Sequence, residues 1–244
     1  MRSAFLAMIV LIWCGISVNA KADVLNGNFQ GHESDWKQDG LLRQIVEWEG
    51  SGSNPAGWIR RNPSSIVSVE LLETHLGLSA GAFAASGSTT APSQGAAIRQ
   101  AIEAKAGDSI NFDFKFWSGE PSDRGATYHD FAFATLSSLS HGQLVKTLVD
   151  STSPLLVSKT VSAFGENYYG RTPWLHTTMV VPETGTWTVG FGVIEGGDLA
   201  NASSVFIDNV SLVAAPVPEP SAALMLLCGG ALIGGFAAKR KEQG

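Results

Sequence analysis

From position 167 to 174 the chain reads Asn-Tyr-Tyr-Gly-Arg-Thr-Pro-Trp, which gathers ring faces, an amide and a guanidinium in one short run. Sugars are held by that mixture, an aromatic platform against their C–H faces and polar groups beside it for their hydroxyls. Gly165, Gly170 and Pro173 predict a loop, so Tyr168, Tyr169, Arg171 and Trp174 form the candidate glycan contact. Trp48, Trp58 and Trp117 are alternatives, whereas Trp36 is expected in the core. A second group, Glu120, Asp123 and Asp130, brackets a Gly/Pro turn between two strong strand patterns, where loop oxygens can converge on a cation such as calcium.

Catalytic signatures are missing. His32, His75, His129, His141 and His176 show no H-E-x-x-H spacing, and there is no G-x-S-x-G turn. Glu47 with Glu49, or Glu120 with Glu195, supply carboxylates for a glycosidase, but nothing in their spacing pairs them in space. No glycine-rich phosphate loop occurs. Of the 22 acidic residues only Glu219 and Glu242 lie outside 23–218, and of the 16 basic ones Arg2, Lys21, Lys239, Arg240 and Lys241 do, which leaves that stretch a net charge of −9. Such a surface repels nucleic acid and anionic lipid and suits divalent cations or neutral glycans.

The elements that must position these groups read as strands. Ile110, Phe112, Phe114 and Phe116 alternate with Asn111, Asp113 and Lys115, and Trp187, Val189, Phe191 and Val193 share one parity. Val67, Val69 and Leu71 do the same, as do Phe131 and Phe133. Turn signals at Gly50 to Pro55, Ser86 to Ser93, Gly119 to Gly125 and Glu195 to Asp198 separate them at spacings typical of a sandwich or barrel. Only Leu71 to Leu78 suggests a helix, and Gly81 to Gly95 reads as a loop or weak edge strand. Asp208 breaks an apolar strand by sharing the parity of Phe206, Val210 and Leu212, and a carboxylate buried there needs a partner. The expected organisation is one all-β domain over 23–213, with residues 1–22 before it, a linker at 214–221 and an apolar tail at 222–244. The only cysteines, Cys14 and Cys228, fall in the apolar ends, so no disulfide supports the body.

Leu25-Asn26-Gly27-Asn28-Phe29-Gln30, Trp36, and the closing Val205-Phe206-Ile207-Asp208-Asn209-Val210 resemble a galactose-binding-like jelly roll of the carbohydrate-binding-module class. The resemblance implies a jelly-roll β-sandwich. It also implies a structural calcium shared between the closing Asp and an acidic residue of the opening segment. Here Gln30 stands in the acidic place and offers one neutral oxygen, so the implied set is Asn28, Gln30 and Asp208.

The two ends read as sorting signals. Arg2, the apolar stretch Ala4 to Val18 and Ala20-Lys21-Ala22 form a secretory signal peptide, cleaved after Ala22 or after Ala20. At the other end Val217-Pro218-Glu219-Pro220 precedes an apolar run from Ala222 to Ala238 and then Lys239-Arg240-Lys241. That run is just long enough for a transmembrane helix, with the basic cluster on the cytoplasmic side. The order closely resembles the PEP-CTERM signal of Gram-negative bacteria. It implies recognition by an exosortase, a stay in the inner membrane before processing, and delivery to the cell surface or extracellular matrix. The expectation is a non-enzymatic exported β-sandwich with adhesive or glycan-binding contacts in exopolysaccharide or biofilm. A structural matrix protein without a defined ligand and an extracellular glycoside-active enzyme are the alternatives.

Overall fold

The computed structural model describes residues 24–45, 55–86, 92–121, 129–163, 165–197 and 201–216. Runs with period-two alternation form strands, and these pair antiparallel throughout into two stacked sheets. Sheet A runs β1 (Lys37–Asp39), β5 (Pro92–Ala104), β12 (Gly185–Gly196), β7 (Phe131–Ser138) and β8 (Gly142–Asp150), with β4 (Val67–Ser68) also on β5. Sheet B runs β2 (Leu41–Ile45), β3 (Ala56–Arg60), β13 (Ser204–Val213), β6 (Ser109–Ser118), β10 (Glu166–Arg171) and β9 (Val157–Ala163), with β11 (Leu175–Val180) on the other half of β6. The result is an all-β jelly-roll sandwich.

The expected inward stripes meet between the sheets. Ile110, Phe112, Phe114 and Phe116 of β6 face Trp187, Val189, Phe191 and Val193 of β12 in one buried core. Trp36 lies in it, stacked on Phe29 with ring centroids 5.6 Å apart. Each sheet also carries an apolar cluster on its outer face. On sheet A, Leu72 and Leu76 of helix α1 (Val69–Leu76) and Phe83 of helix α2 (Ala82–Ala85) cover Ala97, Phe131, Phe133 and Ile194. Phe131 and Phe133 thus face outward under the helices, while Ala132, Ala134 and Leu136 take the inner side.

Two expectations change here. The alternation Val67, Val69, Leu71 stops being a strand after Ser68, because Leu72 and Leu76 at helical spacing bury against the sheet and outweigh the local β pattern. Gly81 to Gly95 is neither a loop throughout nor an edge, since it holds α2 and the start of β5, a central strand. Gly77 ends α1 with φ 70°, and the buried Glu73 carboxylate accepts the Gly81 and Phe83 N–H groups at 2.8 and 3.0 Å, tying α2 to α1.

Candidate functional site on the outer face of sheet B

β6 turns its polar alternates, Asn111, Asp113 and Lys115, to the outside of sheet B, and Trp117 follows them. β13 lies beside it, with Val205 and Ile207 inside and Phe206 outside. The ladder then slips between Asp208 and Ser211, with Asn209 in the left-handed region at φ 53°. This bulge returns Val210 and Leu212 to the core and leaves Asp208 on the outer face with Phe206. Asp208 therefore does not share the face of Val210 and Leu212, as strict alternation predicts. Its register partner is Asp113, and its Oδ1 accepts the Asn209 N–H at 2.7 Å. Burial pushes the Asp208 carboxyl above the usual range and Asp113 adds to this, while the Asn209 hydrogen bond opposes both.

The face is aromatic at one end and polar at the other. Trp117 sits 5.0 Å from both Tyr168 and Phe206, Trp58 stacks 6.5 Å from Phe206, and Arg60 lies 4.8 Å over the Trp58 ring. Arg60 also reaches Glu166 at 3.0 Å, although β3 and β10 are separated by β13 and β6. Register sets Arg60 level with Ser204, Trp117 and Arg171, five residues along β10 from Glu166. Three strand spacings of about 4.8 Å plus that offset put the pair out of reach in a flat sheet, so sheet B curls toward this side. The curl closes Trp58, Trp117, Tyr168 and Phe206 into a buried cluster with Ala163. Trp174 is its open edge, half-buried and edge-on to Phe206 at 6.5 Å.

Trp174 leads directly into β11, whose pairing of Leu175 with Phe114 and His176 with Asp113 sets the polar row one step away. There the Asp113 carboxylate holds His176 Nδ1 and the Asn209 amide, both at 2.8 Å, and further on Thr178 donates to Asn111 at 2.6 Å. His176 is 65% exposed at its side chain. A half-open indole beside fixed carboxylate, imidazole and amide groups can stack on a sugar face and pair with its hydroxyls. Asp113, His176 and Asn209 were not among the residues singled out from sequence. Their signal was the polar side of the β6 alternation, which becomes a site only when β11 and β13 are known to flank it.

The residues expected to hold glycan are divided by the fold. The segment is strand β10 rather than a loop up to Arg171, and its alternation buries Tyr168 at 1% exposure. Desolvation pushes the Tyr168 phenol above its usual range. Tyr169 sits where the β10 register shifts, and Arg171 ends the strand opposite Trp117, both half-buried. Of these four, Trp174 stands at the open edge of the aromatic cluster beside the polar row. Asn28 and Gln30 are exposed, and Asn28 Oδ1 accepts the Gln30 N–H at 3.3 Å. The opening segment does meet β13, where Gly27 accepts the Val210 N–H at 2.8 Å.

Of the second acidic group, Asp123 lies outside the described residues, as do Trp48, Glu47, Glu49, the expected signal peptide at 1–22, Val217 to Pro220 and the apolar tail. Glu120 and Asp130 are buried, and Asp130 accepts the Gly196 N–H at 3.0 Å and the Ser203 hydroxyl at 2.6 Å. Glu195 is in the field of Asp130 and is held by Arg61 at 2.9 Å and Gln94 at 2.7 Å. Burial, reinforced by Asp130 and opposed by Arg61, pushes Glu195 up to about 8. Among the described residues no three His, Cys, Asp or Glu side chains converge as a metal site, and no helix is long and apolar enough to cross a membrane.

Residues 216–241 match the family model described as PEP-CTERM protein-sorting motif. The chain carries a PEP-CTERM sorting signal. That signal marks an exported protein, anchored in the membrane before an exosortase processes it. Comparison with curated proteins finds no match. Solved structures of similar architecture include TmCBM61 in complex with β-1,4-galactotriose, at 13% identity over 80% of this chain and 99% of that one, TM-score 0.41. The K3 cleaved adhesin domain of Lys-gingipain from Porphyromonas gingivalis is 14% identical over 80% and 99%, TM-score 0.38. A family 16 carbohydrate-binding module is 14% identical over 78% and 98%, TM-score 0.36. The sandwich lies ahead of this signal in the chain.

Proposed function

We propose that this PEP-CTERM cargo is a non-catalytic glycan-binding module of the cell surface or extracellular matrix, and that it holds a neutral polysaccharide on the concave face of sheet B. One observation carries this reading: half-open Trp174 stands one strand step from the Asp113, His176 and Asn209 network. A pyranose ring stacks on the indole. Its hydroxyls donate to Asp113 and Asp208 and accept from Asn209, whose positions are fixed before the ligand arrives. The net charge of −9 over 23–218 favours a neutral chain over a polyanion at this acidic face.

The test is calorimetric titration with neutral exopolysaccharide fragments from the host. Trp174→Ala should weaken binding by about tenfold or more, since truncating a tryptophan that anchors a contact costs about 2 kcal/mol or more. The fold should survive, because Trp174 sits at the rim. Tyr168→Ala is the contrast: it opens a cavity in the closed cluster and should destabilise the domain by about 3–5 kcal/mol. No binding by the wild type returns the protein to a purely structural matrix role. Release of reducing ends, lost in Asp208→Asn, overturns the non-catalytic reading and makes the Asp113 and Asp208 pair an acid and base.

A further inference from the structure

The opposite face of the sandwich carries a second pocket. It lies on the outside of sheet A, beyond the C-terminal end of α1, with a volume of about 420 Å³. Arg99, Ser137, Ser138, Ser140, Thr186 and Thr188 line it, with Gly77 and the fully exposed Leu139 at its edges. That volume lies within the range of small-molecule sites, which is about 300–1,000 Å³.

Arg99 is the only charged side chain in the lining, and its Nε is buried with no hydrogen-bond partner. Its direct cross-strand neighbour on β1 is Lys37, exposed on the same face. Like charges directly opposite on one face of a sheet destabilise it. Two carboxylates stand nearby, and among the described residues neither pairs directly with Arg99 or Lys37. Asp39, two residues along β1, is held by His75 Nδ1 at 2.8 Å, and Glu103, four residues along β5, accepts the Thr186 hydroxyl at 2.6 Å. On its other side Arg99 is opposite Gly190, which has no side chain. A cationic spot therefore persists in a net-acidic body, beside a wall of hydroxyls. Ser137 already donates to the Leu76 carbonyl at 2.5 Å, which orients one of them.

We infer that this pocket binds an acidic sugar residue, a uronate of an anionic polysaccharide, with its carboxylate on Arg99 and Lys37. A guanidinium fork matches a carboxylate in two parallel hydrogen bonds. The Ser and Thr hydroxyls donate and accept, so they pair with the ring hydroxyls that a simple anion lacks. Leu139 covers an apolar C–H face at the rim. This site is on the sheet opposite Trp174 and does not depend on the neutral-glycan face.

The experiment titrates the full chain in detergent with oligogalacturonate, with a neutral galactose oligomer of equal length, and with sodium sulfate. Oligogalacturonate should bind, and Arg99→Gln should weaken it by about tenfold or more, as loss of one partner of a desolvated charge pair does. Trp174→Ala should leave uronate binding unchanged while it weakens neutral-glycan binding, which separates failure of one site from failure of the other. If Arg99→Gln does not fold, Thr188→Val reads the same pocket and should weaken uronate more than sulfate. Uronate binding that Arg99→Gln leaves intact overturns the proposal, as does no uronate binding. Sulfate binding as tight as uronate also overturns it and leaves only a general anion site.

Discussion

Tyr168 and Trp174 look in sequence like parts of one platform, and the fold gives them opposite duties. Tyr168 plugs the closed cluster with Trp117, while Trp174 stays at the rim beside Asp113 and His176. A run of residues shows which chemistry is on hand but not which side of a strand presents it. Glu195 makes the same point for charge. Its neighbours Asp130 and Arg61 are 65 and 134 positions away in the chain, so its displaced ionisation is invisible without the fold. The sign follows from linkage: the folded carboxyl, pushed up to about 8, binds protons more tightly than the unfolded one at 4.5. Stability contributed by Glu195 is thus full at acid pH and is lost as pH rises from about 4.5 to about 8. Melting temperature measured across that window should fall for the wild type, and Glu195→Gln should flatten the decline. An equal decline in both places the titration elsewhere.

β6 and β12 were legible because one face of each is uniformly apolar and the other is not. The β13 bulge was not, since a single left-handed Asn209 shifts parity without altering the apolar pattern that surrounds it. The consequence reaches the site, because the bulge is what brings Asp208 and Asn209 out beside Asp113. α1 was foreseen as a short helix near its observed place, and its seat on the sheet is built from absence. A Cβ at Gly190 would stand 2.4 Å from Leu76 Cδ2 and 2.5 Å from Thr135 Oγ1. Gly190→Ala should therefore cost about 1–3 kcal/mol through overpacking, read by chemical denaturation. Proteolysis should then cut first near α1 if the helix has lifted. A variant as stable as the wild type would mean that the helix packs less closely than this.

At the scale of the whole molecule, the tail was the most legible part, because a sorting signal is read from linear order and needs no fold. The matched span 216–241 contains Val217, Pro218, Glu219 and Pro220 as expected. The sandwich followed from alternation and turn spacing, but the concave curl of sheet B and the helical cover of sheet A arise from contacts between distant strands. The proposed function joins the two parts of the chain, a body with an indole beside an acidic row on one side and a sorting signal at residues 216–241. The most direct test is intact mass of the protein recovered from the matrix polysaccharide of its host, with and without exosortase activity. Expected is a mass lacking the residues beyond Pro220, found with the polysaccharide only when the exosortase is active. A full-length mass retained in the inner membrane of both strains, with none in the matrix, would contradict export as cargo and remove the ground for a glycan-binding role outside the cell.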